Sequence, residues 1–295
     1  MYTINHIKET KVIEVTNTDK TVFGKIFLDQ GASLQELTLN KKTIIQDLKP
    51  LEYKTTYASS ILFPFANRIK DGLYSFNNKE FQLEKNQQEE QNALHGFIYD
   101  KTFKILAKET TETKASITLE YIENSKTKGF PYSYSILVTY IFSDDSLSLK
   151  VDIKNTDEKT FPFTLGWHPY FISDNLYESC LNFDCKEKLI IGKRNITTGT
   201  EDIQSKVSLD IKDKQLDDCW ILNSDKVRFK TPNYQLNFES SVNENFFQAY
   251  TPPRANTIAI EPTTGVSNSF NNKIGLQTLA PNKEYSITWK IKIIN

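Results

Sequence analysis

Ser148-Leu149-Lys150-Val151-Asp152-Ile153-Lys154 alternates polar and apolar side chains at every step. Ser286-Ile287-Thr288-Trp289-Lys290-Ile291-Lys292-Ile293 does the same near the end of the chain. Successive side chains of an extended strand point to opposite faces, so each run offers one apolar row to a core and one polar row to water. Shorter runs of the same period lie at residues 11–15, 116–121, 135–142, 227–229 and 236–238. Turn-formers separate them: Asp71-Gly72, Asn77-Asn78, Ser143-Asp144-Asp145, Asn155-Thr156-Asp157 and Pro232-Asn233. No long amphipathic helix with caps is legible. Many short strands spread over the whole chain predict an all-β fold, a large antiparallel β-sandwich.

The 295 residues leave room for two ordinary domains, but β-sandwiches of this size are often single units. Residues 84–92 are a polar run short enough for a surface loop, and 193–218, the least periodic stretch, reads as long loops over the sheets. With no linker and no repeat, a single domain over 1–295 is expected. Lys and Arg total 36 against 37 Asp and Glu, a net charge of −1, which speaks against a nucleic-acid or anionic-membrane binder. No 18-residue apolar run is present, and the start MYTINHIKETKVIEV has no apolar segment after a basic one. With only Cys180, Cys185 and Cys219, a disulfide framework or structural zinc site is not expected, and a cytoplasmic location is the expectation.

Histidine is scarce: His6, His95 and His168. His168 lies in Gly166-Trp167-His168-Pro169-Tyr170-Phe171, where proline forbids a central strand, so the ring is expected at a strand end or turn. Among aromatics it suits a proton donor, or equally a hydrogen-bonded packing residue. His95, in Asn92-Ala93-Leu94-His95-Gly96-Phe97, leaves the same choice. Glu261 closes the apolar run Thr257-Ile258-Ala259-Ile260 before Pro262 and reads as an acid–base group or a rim ion pair. Arg68 follows Phe63-Pro64-Phe65-Ala66-Asn67 and could address sugar hydroxyls or hold a loop through an internal acid. Asp217 and Asp218, before Cys219-Trp220, could bind hydroxyls or cap a turn. The phosphate-loop, dinucleotide, H-E-x-x-H and G-x-S-x-G patterns are absent. What remains is acid–base chemistry by His and Glu among aromatic and hydroxyl-binding groups, an inventory that suits a carbohydrate.

From about residue 22 onward the chain resembles the aldose 1-epimerase (galactose mutarotase) family. Four ordered blocks carry the resemblance: Asn67-Arg68-Ile69 with Gly72, Tyr74 and Phe76; Asn92-Ala93-Leu94-His95-Gly96; His168-Pro169-Tyr170-Phe171; and Glu261-Pro262 with Gly265 and Asn268. Leu279-Ala280-Pro281-Asn282-Lys283-Glu284 resembles the closing turn. The resemblance implies a galactose mutarotase-like supersandwich with a sugar in a groove across one sheet. It implies Glu261 as general base and His168 as general acid, with no metal and no cofactor. His95, Arg68, Asn67 and Asp217 (or Asp218, one residue on) would bind the sugar, over an aromatic floor of Trp167, Tyr170 and Phe171.

Three departures mark a divergent branch: Trp167 stands where Asn precedes the second histidine, Phe97 where a second Gly follows His95-Gly96, and Asn282 where Gly closes the last turn. The first two resemble the hexose-6-phosphate mutarotases, whose H-G-F-A-R block carries a phosphate-facing arginine. Tyr99 occupies that place here, between Ile98 and Asp100, so a free aldose is expected over a phosphorylated one. The alternative from another class is a non-catalytic sugar-binding module on the same fold, which would not need Glu261 together with both histidines.

Overall fold

The computed structural model describes residues 1–242 and 245–294. The two runs that open the sequence reading become neighbouring strands, Ser146–Asn155 and Glu284–Ile294, paired antiparallel with Val151 opposite Ile287 and Leu149 opposite Trp289. Their apolar rows face inward: Leu149, Val151 and Ile153 are fully buried, and Trp289, Ile291 and Ile293 nearly so. Each such side chain removed from water contributes about 1.5–3 kcal/mol, which fixes the register, because a slip of one residue would turn the whole row outward.

These strands sit in the middle of a 14-stranded sheet. It runs from Lys104–Thr110 through Ala115–Glu123, Tyr134–Phe142, Ser146–Asn155, Glu284–Ile294 and Gln235–Ser240 to Asp217–Lys230. It continues through Phe246–Tyr250 and Thr257–Thr263 to Gly166–Trp167 and Ile61–Leu62. A five-stranded N-terminal sheet, in sequence order from Tyr2–Ile7 to Lys42–Ile45, packs against it. The two are tied by polar contacts as well as by the core. Asp144, in the turn after Tyr134–Phe142, accepts hydrogen bonds from Tyr2 Oη at 2.7 Å and Asn17 Nδ2 at 3.2 Å. Asn77 and Asn78 join Leu73–Phe76 to Lys79–Gln82 in a two-residue hairpin, both at positive φ (49° and 58°), a conformation asparagine tolerates.

One expectation is corrected. Residues 193–218 are not chiefly loops: Thr197–Asp210 is a strand of 14 residues paired with Cys180–Ile191. It pairs on one side only, at the border of the sheet, and most of its side chains are exposed. Over residues 200–206 few side chains are apolar and most are wetted, so no period-two row appears there; only Val207 and Leu209, at the end of the strand, alternate and pack against the core. Helix is confined to short turns, and among the described residues no helix is long and apolar enough to cross a membrane.

Candidate active site

Thr257–Thr263 is bordered on one side by Phe246–Tyr250 and on the other by Gly166–Trp167 and Tyr170–Ile172. Gly166 faces Thr263 and Tyr170 faces Ala259, so the same register carries His168 opposite Glu261. Pro169 cannot donate to the ladder, which interrupts the strand at the histidine. Its carbonyl still accepts from the Ile260 amide at 3.2 Å, and the His168 amide donates to Ser60 at 3.0 Å. Gln248 faces Glu261 from the other neighbour. One face of the sheet therefore carries His168, Glu261 and Gln248 in a row, with Tyr170, Ala259, Tyr250 and Asp217 in the next.

The facing wall is built by Arg68–Ile69, which pairs with Ala93–Leu94. Asn67 and His95 both adopt left-handed backbone, with φ of 60° and 61°, and the His95 amide donates to the Asn67 carbonyl at 2.9 Å. Gly96, at φ 74°, lies so close to Phe63 that a Cβ would stand 2.0 Å from the Phe63 carbonyl oxygen. Only glycine permits that approach, and it delivers the preceding imidazole into the cavity. The His95 ring meets His168 edge-on, with centroids 5.1 Å apart at 89°, and Tyr57 packs edge-on against it at 4.9 Å.

Between these walls lies a cavity of about 410 Å³ in which Asn67, Arg68, His95, His168, Asp217 and Glu261 converge. His168 Nε2 and Glu261 Oε1 are 3.4 Å apart, with both side chains almost wholly buried. Arg68 donates through Nε to Glu90 Oε2 at 2.9 Å and to Gln87 at 3.3 Å, and through Nη1 to Asn67 Oδ1 at 3.1 Å. Gln248 Nε2 donates to Asp217 Oδ1 at 2.6 Å.

Burial dominates the electrostatics. It pushes Glu261 well above the usual carboxylate range, with Asp217 adding to the rise and Arg68 opposing it. It lowers His168 to about 4, partly offset by that residue's own carbonyl and reinforced by the Arg68 charge. His95 falls well below its ordinary value, through burial and then the neighbouring His168 and Arg68. Asp217 is raised by burial, against the pull of Arg68. Burial disfavours the charged form of both groups, which favours a facing pair that shares one proton. Two titratable groups driven in opposite directions and set face to face are suited to passing a proton through a bound molecule.

The aldose 1-epimerase family model matches residues 11–292. The chain belongs to the aldose 1-epimerase family. A curated relative, the uncharacterised Escherichia coli K12 protein YihR, is 23% identical over 278 residues, covering 88% of this chain and 87% of its own. Among solved structures, a galactose mutarotase-like protein from Clostridium acetobutylicum superposes with a TM-score of 0.87 at 20% identity, covering 100% and 98% of the two chains. Galactose 1-epimerase from Lactobacillus acidophilus NCFM gives 0.81 at 17%, with the same coverage. At such identities the likeness establishes the galactose mutarotase fold alone.

For this aldose 1-epimerase family member, the geometry separates residues that sequence leaves together. Asp217 lines the cavity, whereas Asp218 points to the opposite face and pairs with Lys188 at 2.7 Å. Tyr170 lines the cavity, but Trp167 does not: it is fully buried on the reverse of the sheet, beside Phe247, Ile260 and Trp289. Phe171 goes with it, packing against Phe238 at 5.0 Å. The alternation that places His168 and Tyr170 in the cavity necessarily turns Trp167 and Phe171 away, so the expected aromatic floor reduces to Tyr170. Sequence reading passed over Gln248, Tyr250, Tyr57, Glu90 and Asn195. Gln248 had a signal, as a lone amide in the apolar strand Phe246–Tyr250. Glu90 and Asn195 arrive from loops and carried none.

Proposed function

We propose that this chain interconverts the α and β anomers of a free aldose. The carrying observation is the buried His168–Glu261 pair, 3.4 Å apart at the floor of a cavity rimmed by hydroxyl-binding groups. Anomerisation needs one group to take the proton from the C1 hydroxyl while another protonates the ring oxygen. Both oxygens sit on one carbon, so the two groups must stand side by side, as these do.

The pair's single proton is the inventory the reaction requires. On the cyclic sugar, Arg68 and the sugar hydroxyls favour Glu261 as carboxylate and place the proton on His168. Glu261 then takes the C1 hydroxyl proton as His168 protonates the ring oxygen; the C1–O5 bond breaks and C1 becomes an aldehyde. Rotation about C1–C2 presents the other carbonyl face. His168 removes the proton from the O5 hydroxyl, O5 attacks C1, and Glu261 returns a proton to O1. Atoms and charge balance, and positioned acid–base groups typically contribute about 10²–10⁴-fold.

His95, with its neutral imidazole, packs against His168 and supports the ring-oxygen side. Arg68, Asn67 and Asp217 address the remaining hydroxyls. A sugar-binding module would need the rim but not a proton-sharing pair at its floor, so the pair favours the enzyme. Freshly dissolved galactose, glucose, xylose, arabinose and a hexose 6-phosphate, followed by polarimetry, test this reading. Acceleration of at least one unphosphorylated aldose is the expected result. Acceleration of none of them contradicts it.

A further inference from the structure

Arg68, the guanidinium of the sugar cavity, does not face it with an unbalanced charge. Its Nε is bound by Glu90 Oε2 at 2.9 Å and by Gln87, and its Nη1 by Asn67, which leaves Nη2 as the end without a side-chain partner among these contacts. Glu90 is itself fixed: Asn195 Nδ2 donates to its other oxygen, Oε1, at 3.0 Å. The loop carrying Glu90 is also stapled by Arg194, the neighbour of Asn195 in the cavity lining. That side chain donates to the Glu90 carbonyl at 2.6 Å, Asp71 Oδ1 at 2.8 Å, Asn92 Oδ1 at 2.8 Å and the Gln91 carbonyl at 3.1 Å. Arg194 and Asn195 both hold left-handed backbone, with φ of 60° and 54°. Non-glycine residues keep that conformation when surrounding contacts impose it, and here two of those contacts, from Arg194 Nε and Asn195 Nδ2, end on Glu90 itself.

Such a staple is more than Arg68 would need for hydrogen bonding alone, since the Gln87 and Asn67 amides already supply acceptors. What Glu90 adds is charge. With Arg68 neutralised and the His168–Glu261 pair neutral overall through its shared proton, the remaining acids at the cavity, Asp217 and Glu89, leave it without surplus positive potential. Among the described residues an anionic sugar would meet no other lysine or arginine in the cavity lining, and its desolvation would go uncompensated beside those acids.

We infer that Glu90 is a positioning and specificity residue: held by Arg194 and Asn195, it fixes the direction of Arg68 and cancels its charge, so that the cavity selects neutral aldoses over sugars bearing a carboxylate or phosphate. The inference rests on the sugar-cavity reading above and deepens it. Glu90 acts through Arg68, whose free Nη2 remains the donor to the sugar.

The test compares binding of galactose with galacturonate, and glucose with glucuronate, pairs that differ only in a hydroxymethyl against a carboxylate at C6. Kd is measured by calorimetry for the wild type, Glu90→Gln and Arg194→Gln, alongside polarimetric rates for the neutral sugars. The wild type should favour the neutral member of each pair. Glu90→Gln keeps an acceptor for Arg68 but removes the charge, and should shift the Kd ratio toward the uronate by tenfold or more, with the gain fading as salt is raised. Arg194→Gln, which loosens the loop without touching Arg68, should shift it in the same direction and provides the measurement if Glu90→Gln does not fold. An unchanged ratio in the variants, or a wild type that binds uronate as tightly as neutral sugar, overturns the inference. A wild type that binds neutral sugars selectively but accelerates none would instead count against the catalytic reading and leave the charge argument standing.

Discussion

His168 stands directly across the sheet from Glu261, Nε2 to Oε1 at 3.4 Å, in a register set by Gly166 opposite Thr263 and Tyr170 opposite Ala259. The proline after the histidine breaks the ladder where the imidazole must face the cavity rather than pack as one more strand side chain. Burial then drives the two groups in opposite directions, and both their chemistry and their cost follow from that.

Activity should trace a bell against pH. The His168 imidazole, lowered to about 4, gains its proton below that value, and with Glu261 also protonated no base remains. Glu261, raised well above the usual carboxylate range, loses its proton only at higher pH, and with His168 neutral no acid remains. Initial rates by polarimetry, corrected for the spontaneous reaction, should fall on both sides of the window. A flat profile through pH 4 would remove His168 from the chemistry.

Stability should carry the mark of the same residues. Glu261 has a folded value above its unfolded one, so its contribution is fully present below about pH 4.5 and is lost as pH rises toward the folded value. Glu261→Gln does not titrate, so its melting temperature should gain on the wild type progressively above pH 4.5. His168 runs the other way: its folded value is depressed, so its contribution is present above 6.5 and is lost as pH falls to about 4, on the order of 3 kcal/mol. Thermal melts of His168→Asn should show a shallower acid decline than the wild type.

Asp217 and its neighbour give a paired control. Asp217→Asn removes a half-buried acidic acceptor that lines the cavity, and should raise KM roughly 10–100-fold, the scale of a hydrogen bond to a charged group. Asp218→Asn touches only a partly exposed pair with Lys188, worth about 0–1 kcal/mol, and should leave KM near the wild type. Equal effects would mean that the sheet face has been misassigned.

Gly96→Ala should be costly out of proportion to its size. The added methyl would stand 2.0 Å from the Phe63 carbonyl oxygen at a φ of 74°, so the backbone must shift and His95 with it. A loss of about 2 kcal/mol or more by denaturant unfolding is expected, together with reduced activity. A variant as stable as the wild type would contradict this account of the wall.

The sheet was legible because its central strands bury one face: Leu149-Val151-Ile153 and Trp289-Ile291-Ile293 announce themselves by period. Most of Thr197–Asp210 was not, because a border strand that is largely wetted carries no row until Val207 and Leu209 near its end. The acid–base pair could be read as residue types in motifs, but their apposition is a matter of register, set by pairing partners far apart in sequence. Trp167 shows the limit from the other side. Its neighbourhood suggested a sugar platform, and the alternation that fixes His168 in the cavity sends the indole to the reverse face. Glu90, Arg194 and Asn195 come from two loops about a hundred residues apart, and only folding makes them one cluster.

The most direct measurement is the polarimetric rate of anomerisation for the wild type beside Glu261→Gln and His168→Asn, with circular dichroism confirming that each variant is folded. The wild type should accelerate at least one free aldose, and each substitution should lower kcat by about 10²–10⁴-fold with the fold intact. A folded variant of either kind that turns over near the wild-type rate would contradict the assignment of the facing pair as the proton-transferring groups.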